Sequence, residues 1–403
     1  MSKEKITLLI TALVDVIGIG IVIPSLPSYV LNFGVTPAIL TLLFAVFSFC
    51  AFFSTPVLGV LSDRYGRRPI LLISIFSSAV GWLIFSLAPT MIWLFIGRIV
   101  DGLAAGNIST AHSAMTDLAK TPQERTHNLG LMGAVFGIGF IIGPAIGGLL
   151  GAAHPHAPFW FAFALSTINL ISVYFFFPET NQTKNLATNN WRQQIQPLRP
   201  LIKAWQNQQL KPLFSIWFLF SVAIAIQQSI MALYLLKIFN IGTAGTGWIM
   251  AGVGLGIALN QGIGLKHFWL KYFSEPTLQL WLFLAMAVAF FLFSWPLLIT
   301  LALAMILNVF GQSVLRVILT SQAAGTAPLN QRGEVMGVMS SIMSLGMIVG
   351  PLISGQLFSL KTAAPFWLTT FLMLIAFGIV FFRRQKMSEL QVAETPETNT
   401  IID

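Results

Sequence analysis

Gly59–Val60–Leu61–Ser62–Asp63–Arg64–Tyr65–Gly66–Arg67–Arg68–Pro69 sets one carboxylate and three guanidinium groups between two long apolar runs. A charged turn of this kind must stay in water. The runs on either side therefore read as membrane-spanning helices joined by a tight loop. The positive charge tends to hold that loop on the cytoplasmic side. Gly59 and Gly66 permit a sharp turn and close helix approach.

Composition extends this reading to the whole chain. Hydrophobic residues make up 56% of it and charged residues 9%, where a soluble domain carries about 25% charged. A span needs about 20 apolar residues. We place spans at 6–31, 38–62, 70–88, 91–119, 128–152 and 158–177, then at 211–238, 243–266, 276–294, 296–324, 334–359 and 363–382. The expected fold is an all-α integral membrane protein of twelve transmembrane helices in two pseudo-symmetric six-helix bundles. Residues 1–177 form the N-terminal half, 178–210 a polar cytoplasmic connector and 211–385 the C-terminal half. Residues 386–403 form a polar, disordered tail, and Trp191 and Trp205 of the connector rest at the membrane interface.

Charge sets the orientation. With the amino terminus in the cytoplasm, eighteen of the 22 Lys and Arg fall in or beside cytoplasmic segments. Lys237 and Lys361 lie outside, and Arg98 and Arg316 lie within spans. That asymmetry puts both termini in the cytoplasm. The net charge of +9 is thus a topology signal, and no nucleic-acid partner is expected. Cys50 is the single cysteine, which excludes an intramolecular disulfide. No cleavable signal peptide is evident, because the first apolar run is long and Asp15 interrupts it.

A shift of 207 residues brings landmarks of the two halves into register. Pro69 falls on Pro276, Asp101 on Asn308, Arg125 on Arg332, and Gly143–Pro144 on Gly350–Pro351. The charged turn itself is missing from the second copy.

Charges inside a membrane cost at least about 2.5–3.5 kcal/mol each on insertion scales. Four stand out: Asp15, Arg98, Asp101 and Arg316. Helical spacing gathers polar residues around them. Thr11, Asp15, Gly18, Ser25 and Tyr29 share a face of the first span. Arg98, Asp101, Ser109, His112 and Thr116 share one of the fourth. Gln228 with Gln227 beside it marks the seventh, and Asn308, Gln312 and Arg316 follow at i, i+4 and i+8 in the tenth. Polar stripes within lipid should face a water-filled cavity or another helix. A carboxyl group in such a cavity can load and release a proton, which makes Asp15 a candidate proton site; the alternative is a carboxylate held by donors of a neighbouring helix. Arg98 and Asp101, three apart, can pair within their own helix, as a working switch or as a static ion pair. Arg316 either favours an anionic or zwitterionic substrate or snorkels to the cytoplasmic surface.

The quoted turn resembles the signature loop of the Major Facilitator Superfamily, Gly-x-Leu-x-Asp-Arg-x-Gly-Arg-Arg-Pro. The segment Leu13–Pro24 resembles the first helix of its tetracycline-type drug/proton antiporters, and Gly97–Gly102 the motif on its fourth helix. Gly137–Gly148, with the order Gly-x-x-x-Gly-Pro-x-x-Gly-Gly, is similar to the antiporter motif of drug exporters. The resemblance implies that the first, fourth, seventh and tenth helices line a central cavity. The stripes then nominate Tyr29, Ser109, His112, Gln227, Gln228, Asn308, Gln312 and Arg316 as cavity residues. It implies proton coupling through Asp15, Arg98 and Asp101. It also implies a cytoplasmic gate of Gly59, Asp63, Arg64, Gly66, Arg67 and Asp117, with Asp63 set against the start of the eleventh span. Gly143, Pro144, Gly350 and Pro351 are the expected helix-bending positions. The chain departs from tetracycline pumps in having no acid in its third and ninth spans.

The expected function is a proton-coupled secondary transporter that exports a small organic molecule or drug across the inner membrane by alternating access. Its partners are that substrate, protons and the lipid bilayer, and it acts as a monomer. A proton symporter importing a metabolite or siderophore-like anion is the alternative in transport. A membrane-embedded enzyme or lipid-handling protein is the alternative of another class. No Ser/His/Asp set, metal-ligand cluster or nucleotide-binding loop occurs at useful spacing. We expect no enzymatic activity, no metal and no cofactor.

Overall fold

The computed structural model describes residues 2–181, 202, 210–326 and 332–393. Among the described residues, twelve helices are long and apolar enough to cross a membrane. They are α1 (Lys3–Leu31), α2 (Pro37–Tyr65), α3 (Arg67–Leu87), α4 (Met91–Asp117), α5 (Pro122–Ala153), α6 (Ala157–Phe176), α7 (Lys211–Phe239), α8 (Thr243–Tyr272), α9 (Glu275–Phe293), α10 (Leu298–Thr326), α11 (Arg332–Leu360) and α12 (Ala364–Ala393). Most of the expected connector, with Trp191 and Trp205, lies outside the described residues. So does the tail beyond 393, but α12 runs on to Ala393, into the stretch expected to be disordered.

Helix starts are written in the sequence. Thr121–Pro122–Gln123–Glu124 opens α5: the Thr121 hydroxyl accepts from the Glu124 amide at 3.1 Å, and Pro122 occupies a position that needs no N–H. The Glu124 carboxylate takes the Lys120 amide at 2.8 Å and the Lys5 ammonium at 2.5 Å, tying α5 to α1.

Two spans are not continuous α-helix. The fourth breaks at Ala104–Gly106, splitting α4 into Met91–Leu103 and Asn107–Asp117. A break frees backbone carbonyls that must find partners. Ser54 and Thr55 of α2 supply them, donating to Gly102 O at 2.7 Å and Ala105 O at 2.9 Å. Ser77 of α3 donates to Val100 O at 2.6 Å. The eighth span carries a π-helical stretch, Asn260–Trp269, a feature often found at functional sites. The stripe expected along an unbroken fourth helix is therefore divided, and the break sets Asn107 at the start of a new segment.

Each half has its own core. Tyr234, Phe283, Phe290, Phe293 and Phe366 anchor one large cluster in the second half. The first half has two smaller ones, around Tyr29, Trp82 and Phe159 and around Leu8, Met115 and Phe177. The repeat shows in the packing. α1 lies on α5 and α7 on α11. A Cβ on Gly143 would stand 2.9 Å from Gly20 Cα, and one on Gly350 would stand 2.6 Å from Ala225 Cβ. Only glycine lets these helix pairs approach so closely. Pro144 and Pro351 follow within the same helices.

The halves meet through α5 against α8 and α2 against α11. Their close contacts gather at the end remote from the chain termini. Ser28 and Thr243 hydroxyls bond at 2.7 Å. A Cβ on Gly247 would strike Pro144 O and come within 2.7 Å of Gly148 Cα. Toward the other end, Gly133 and Gly137 border a cavity and have nothing within 4 Å of where a Cβ would stand. Gly247→Val should therefore force α5 and α8 apart and populate molecules open at the remote end. Spin labels at His154→Cys and Asn240→Cys in a Cys50→Ser background should report longer distances with this substitution than without it.

Candidate functional site: a buried polar chain, a donor-lined cavity and a charged turn

The expected proton-coupling residues come together, joined by two residues that were not expected. Asn107 Nδ2 donates to Asp15 Oδ1 at 2.6 Å and lies 3.3 Å from Ser78 Oγ. Ser78 Oγ donates to Asp101 Oδ1 at 2.7 Å. The other oxygen of Asp101 faces Arg98 Nη1 at 3.7 Å. The chain Asp15–Asn107–Ser78–Asp101–Arg98 thus links α1, both pieces of α4 and α3. Arg98 is 6% exposed and lies over Phe85 at 4.6 Å, Trp82 at 5.1 Å and Phe47 at 5.6 Å from the ring centroids. Such rings stabilise a desolvated cation by about 2 kcal/mol or more. Its Nη2 and the Asn107 Oδ1 are buried with no hydrogen-bond partner among the described residues. The chain therefore keeps unsatisfied groups at two of its five members.

These residues do not line the cavity between the halves. That cavity, about 290 Å³, is bordered by Gln227 and Gln228 of α7, Gln261 of α8, and Asn308, Gln312 and Arg316 of α10. Ile23, Phe136, Phe140, Met231, Met250 and Met305 supply apolar walls. Five of the eight residues expected at a cavity border this one, and Tyr29, Ser109 and His112 do not. Tyr29 is 1% exposed, and its hydroxyl donates to Phe85 O at 2.8 Å between Phe33, His156 and Phe159. It serves the core of the first half. Ser109 closes a turn onto Gly106 O at 3.1 Å. His112 stands behind the wall, its ring 6.2 Å from that of Phe136. Like Arg98 and Asp101, placed on the same expected face, neither Ser109 nor His112 borders the cavity.

The polar face of α1 also serves packing. Thr11 bonds Asn169 of α6 at 3.0 Å, and Ser25 donates to Gly147 O of α5 at 2.8 Å. Asp15 alone on that face joins another polar group of α4. Gln261 escaped the sequence reading, because its place in the cavity depends on the π-helical stretch. Asn260, one residue before it, anchors that stretch to Ser313 Oγ at 2.6 Å and to Trp269 Nε1 at 2.8 Å.

The charged turn is ordered around Arg67. Its guanidinium bonds Asp63 at 2.5 Å, Asp117 at 2.9 Å and Ser62 Oγ at 2.7 Å, while Arg67 itself is only 8% exposed. Gly66 has φ +111°, in the region that favours glycine, and the Glu179 carboxylate occupies the space a Cβ would need. Glu179 accepts the Arg67 amide at 2.8 Å and the Arg68 amide at 3.2 Å, an acid at the start of α3. Arg64 lies over the Tyr65 ring. Gly59 has open space where a Cβ would stand. The Asp63 carboxylate is engaged by Arg67 and, among the described residues, by no group of α11.

Residues 8–295 and 268–402 match the family model of the Major Facilitator Superfamily. Among known proteins, the class D tetracycline resistance protein of Salmonella ordonez is 33% identical, over 89% of this chain and 90% of its own length. The class H protein of Pasteurella multocida is 29% identical, over 98% and 100%. The quinolone resistance protein NorA of Staphylococcus aureus is 26% identical, over 97% and 99%. Among solved structures, a peptide transporter, POT, superposes with a TM-score of 0.79 at 15% identity, covering 97% of this chain and 96% of that one. The human organic anion transporter MFSD10 gives 0.69 at 22%, covering 94% and 99%. At these identities the structural likeness speaks for the fold alone.

Proposed function

This chain belongs to the Major Facilitator Superfamily, and we propose that it is a proton-coupled exporter of small organic compounds, acting as a monomer in the inner membrane with both termini in the cytoplasm. The drug-resistance proteins matched over nearly their full length support export. The buried chain Asp15–Asn107–Ser78–Asp101–Arg98 carries the coupling. It puts two carboxyl groups and one guanidinium where only hydrogen bonds and a counter-charge can hold them. A proton gained by Asp15 removes the negative charge that Asn107 faces and adds an O–H donor beside it. A proton gained by Asp101 releases Arg98 from its counter-charge. Either event changes what ties α1, α3 and α4 together, which is the requirement for biasing two arrangements of the halves.

With cytoplasmic termini, closure at the remote end makes the present arrangement inward-facing. Substrate enters the cavity from the cytoplasm. The halves then rock about it, and Asp63 moves against the start of α11 as the cytoplasmic end closes. Gly143–Pro144 and Gly350–Pro351 are the points about which α5 and α11 bend. The test is a drug-sensitive bacterial host carrying the gene or an empty vector, loaded with a panel of fluorescent compounds. The gene should lower accumulation of some of them, and a protonophore should abolish the difference. Export that persists with the gradient collapsed would contradict coupling, and protonophore-sensitive uptake would reverse the direction.

A further inference from the structure

We infer that the cavity takes an organic anion, a compound with an apolar body and a carboxylate, sulfonate or phosphonate group held by Arg316. The inference rests on the exporter reading only for the direction of movement, since binding is measured without transport. Arg316 borders the cavity, and among the described residues no carboxylate lies within 4 Å of its guanidinium, which takes part in no hydrogen bond. The snorkelling alternative required this side chain to reach the surface. Its place is in the cavity wall.

The neighbouring groups point to the same ligand chemistry. Among the described residues that line it there is no Asp or Glu. Asn308, Gln312 and Arg316 follow one another a helical turn apart on α10, so their head groups form a ladder about 12 Å long at 1.5 Å per residue. Asn308 is 2% exposed. Its Oδ1 accepts from Gln227 Nε2 at 3.2 Å, which leaves its buried Nδ2 without a partner. A buried donor without a partner is costly and is satisfied by a ligand acceptor. A guanidinium with free N–H groups matches a carboxylate or phosphonate in a two-pronged geometry. An organic cation would face Arg316 with no acid to offset the repulsion. Met231 of α7, Met250 of α8, Met305 of α10 and two phenylalanines of α5, Phe136 and Phe140, accept apolar bodies of varied shape. The volume, about 290 Å³, is at the lower edge of the roughly 300–1,000 Å³ typical of ligand sites, so the compound is small.

The test uses three probes that share one fluorophore and differ in charge: dansylglycine, dansylamide and dansylcadaverine. Binding to the purified full-length protein in detergent is followed by dansyl emission. Dansylglycine should bind saturably and at least about tenfold more tightly than the other two, the scale of one hydrogen-bonded charge. Arg316→Gln should erase that ranking, and Arg316→Lys should keep part of it. Should Arg316→Gln fail to fold, the ranking in the unaltered protein decides alone. Equal or tighter binding of dansylcadaverine, absence of dansylglycine binding, or an anion preference that survives Arg316→Gln would overturn the inference. Proton movement in vesicles is a separate readout, so failure of the charge preference and failure of proton-coupled export are told apart.

Discussion

Asp15→Asn should reduce active export to the level of the empty host while leaving binding in the cavity intact. Asp15 does not border the cavity, so a ligand there loses no contact. What changes is the bond from Asn107 Nδ2, 2.6 Å from Asp15 Oδ1. An asparagine of the same shape can still accept that bond, but it cannot exchange a proton. The variant should therefore fold, reach the membrane and bind ligand, and fail only in gradient-driven movement. Asp15→Glu keeps the carboxyl group and should recover part of the activity. Efflux from loaded cells, with ligand affinity measured on the purified protein, separates the two effects. A fall in affinity matching the fall in export would place Asp15 in the binding site instead.

The largest loss of stability should come from removing one member of the Arg98–Asp101 pair. The guanidinium is 7% exposed and the carboxylate 13%. Taking away one partner leaves the other charge in low dielectric, at a cost of about 3–5 kcal/mol. Arg98→Ala also empties the space between Phe47, Trp82 and Phe85. Asp101→Asn keeps the bond from Ser78 and removes only the charge, so it should be the milder of the two. Replacing both residues, Arg98→Met with Asp101→Leu, should be far less destabilising than the sum of the single changes, because no lone charge remains. Loss of folded monomer on heating in detergent measures all of these. Export should be absent in every one, including the stable double variant. A double variant that is stable and still exports would reduce the pair to a packing device.

Much of the fold was legible because lipid imposes one rule: every backbone polar group is satisfied within its own helix. The twelve spans followed from run length, and the glycine–proline repeats at 143–144 and 350–351 marked two helices that the structure packs closely on α1 and α7. The α10 stripe of Asn308, Gln312 and Arg316 was equally readable, because that helix is regular and a 100° step holds along it. Asn107 lay beyond the reach of spacing. Helical spacing extrapolates a straight helix, and α4 is not one. The break at Ala104–Gly106 depends on α2 hydroxyls some 50 residues away in sequence, Ser54 and Thr55, which accept the loss of the turn by bonding its carbonyls. Asn107 opens the segment after it and meets Asp15. Ser78 was invisible for a related reason. A serine in an apolar helix more often bonds its own backbone, and nothing local distinguishes one that bridges Asn107 and Asp101. Tyr29 fell on the right face of α1, but that face meets α5 and α6 before it meets water. Glu179 could have been found by asking what offsets the bare amides after Gly66.

Inside-out vesicles from cells producing the protein, acidified within and reporting their pH gradient by quenching of a weak-base dye, bring the chain Asp15–Asn107–Ser78–Asp101–Arg98 to a decision. Addition of a compound exported by the unaltered protein should discharge part of the gradient, with no discharge in Asp15→Asn vesicles that bind the compound equally well. Equal discharge in the two preparations would contradict proton coupling through this chain.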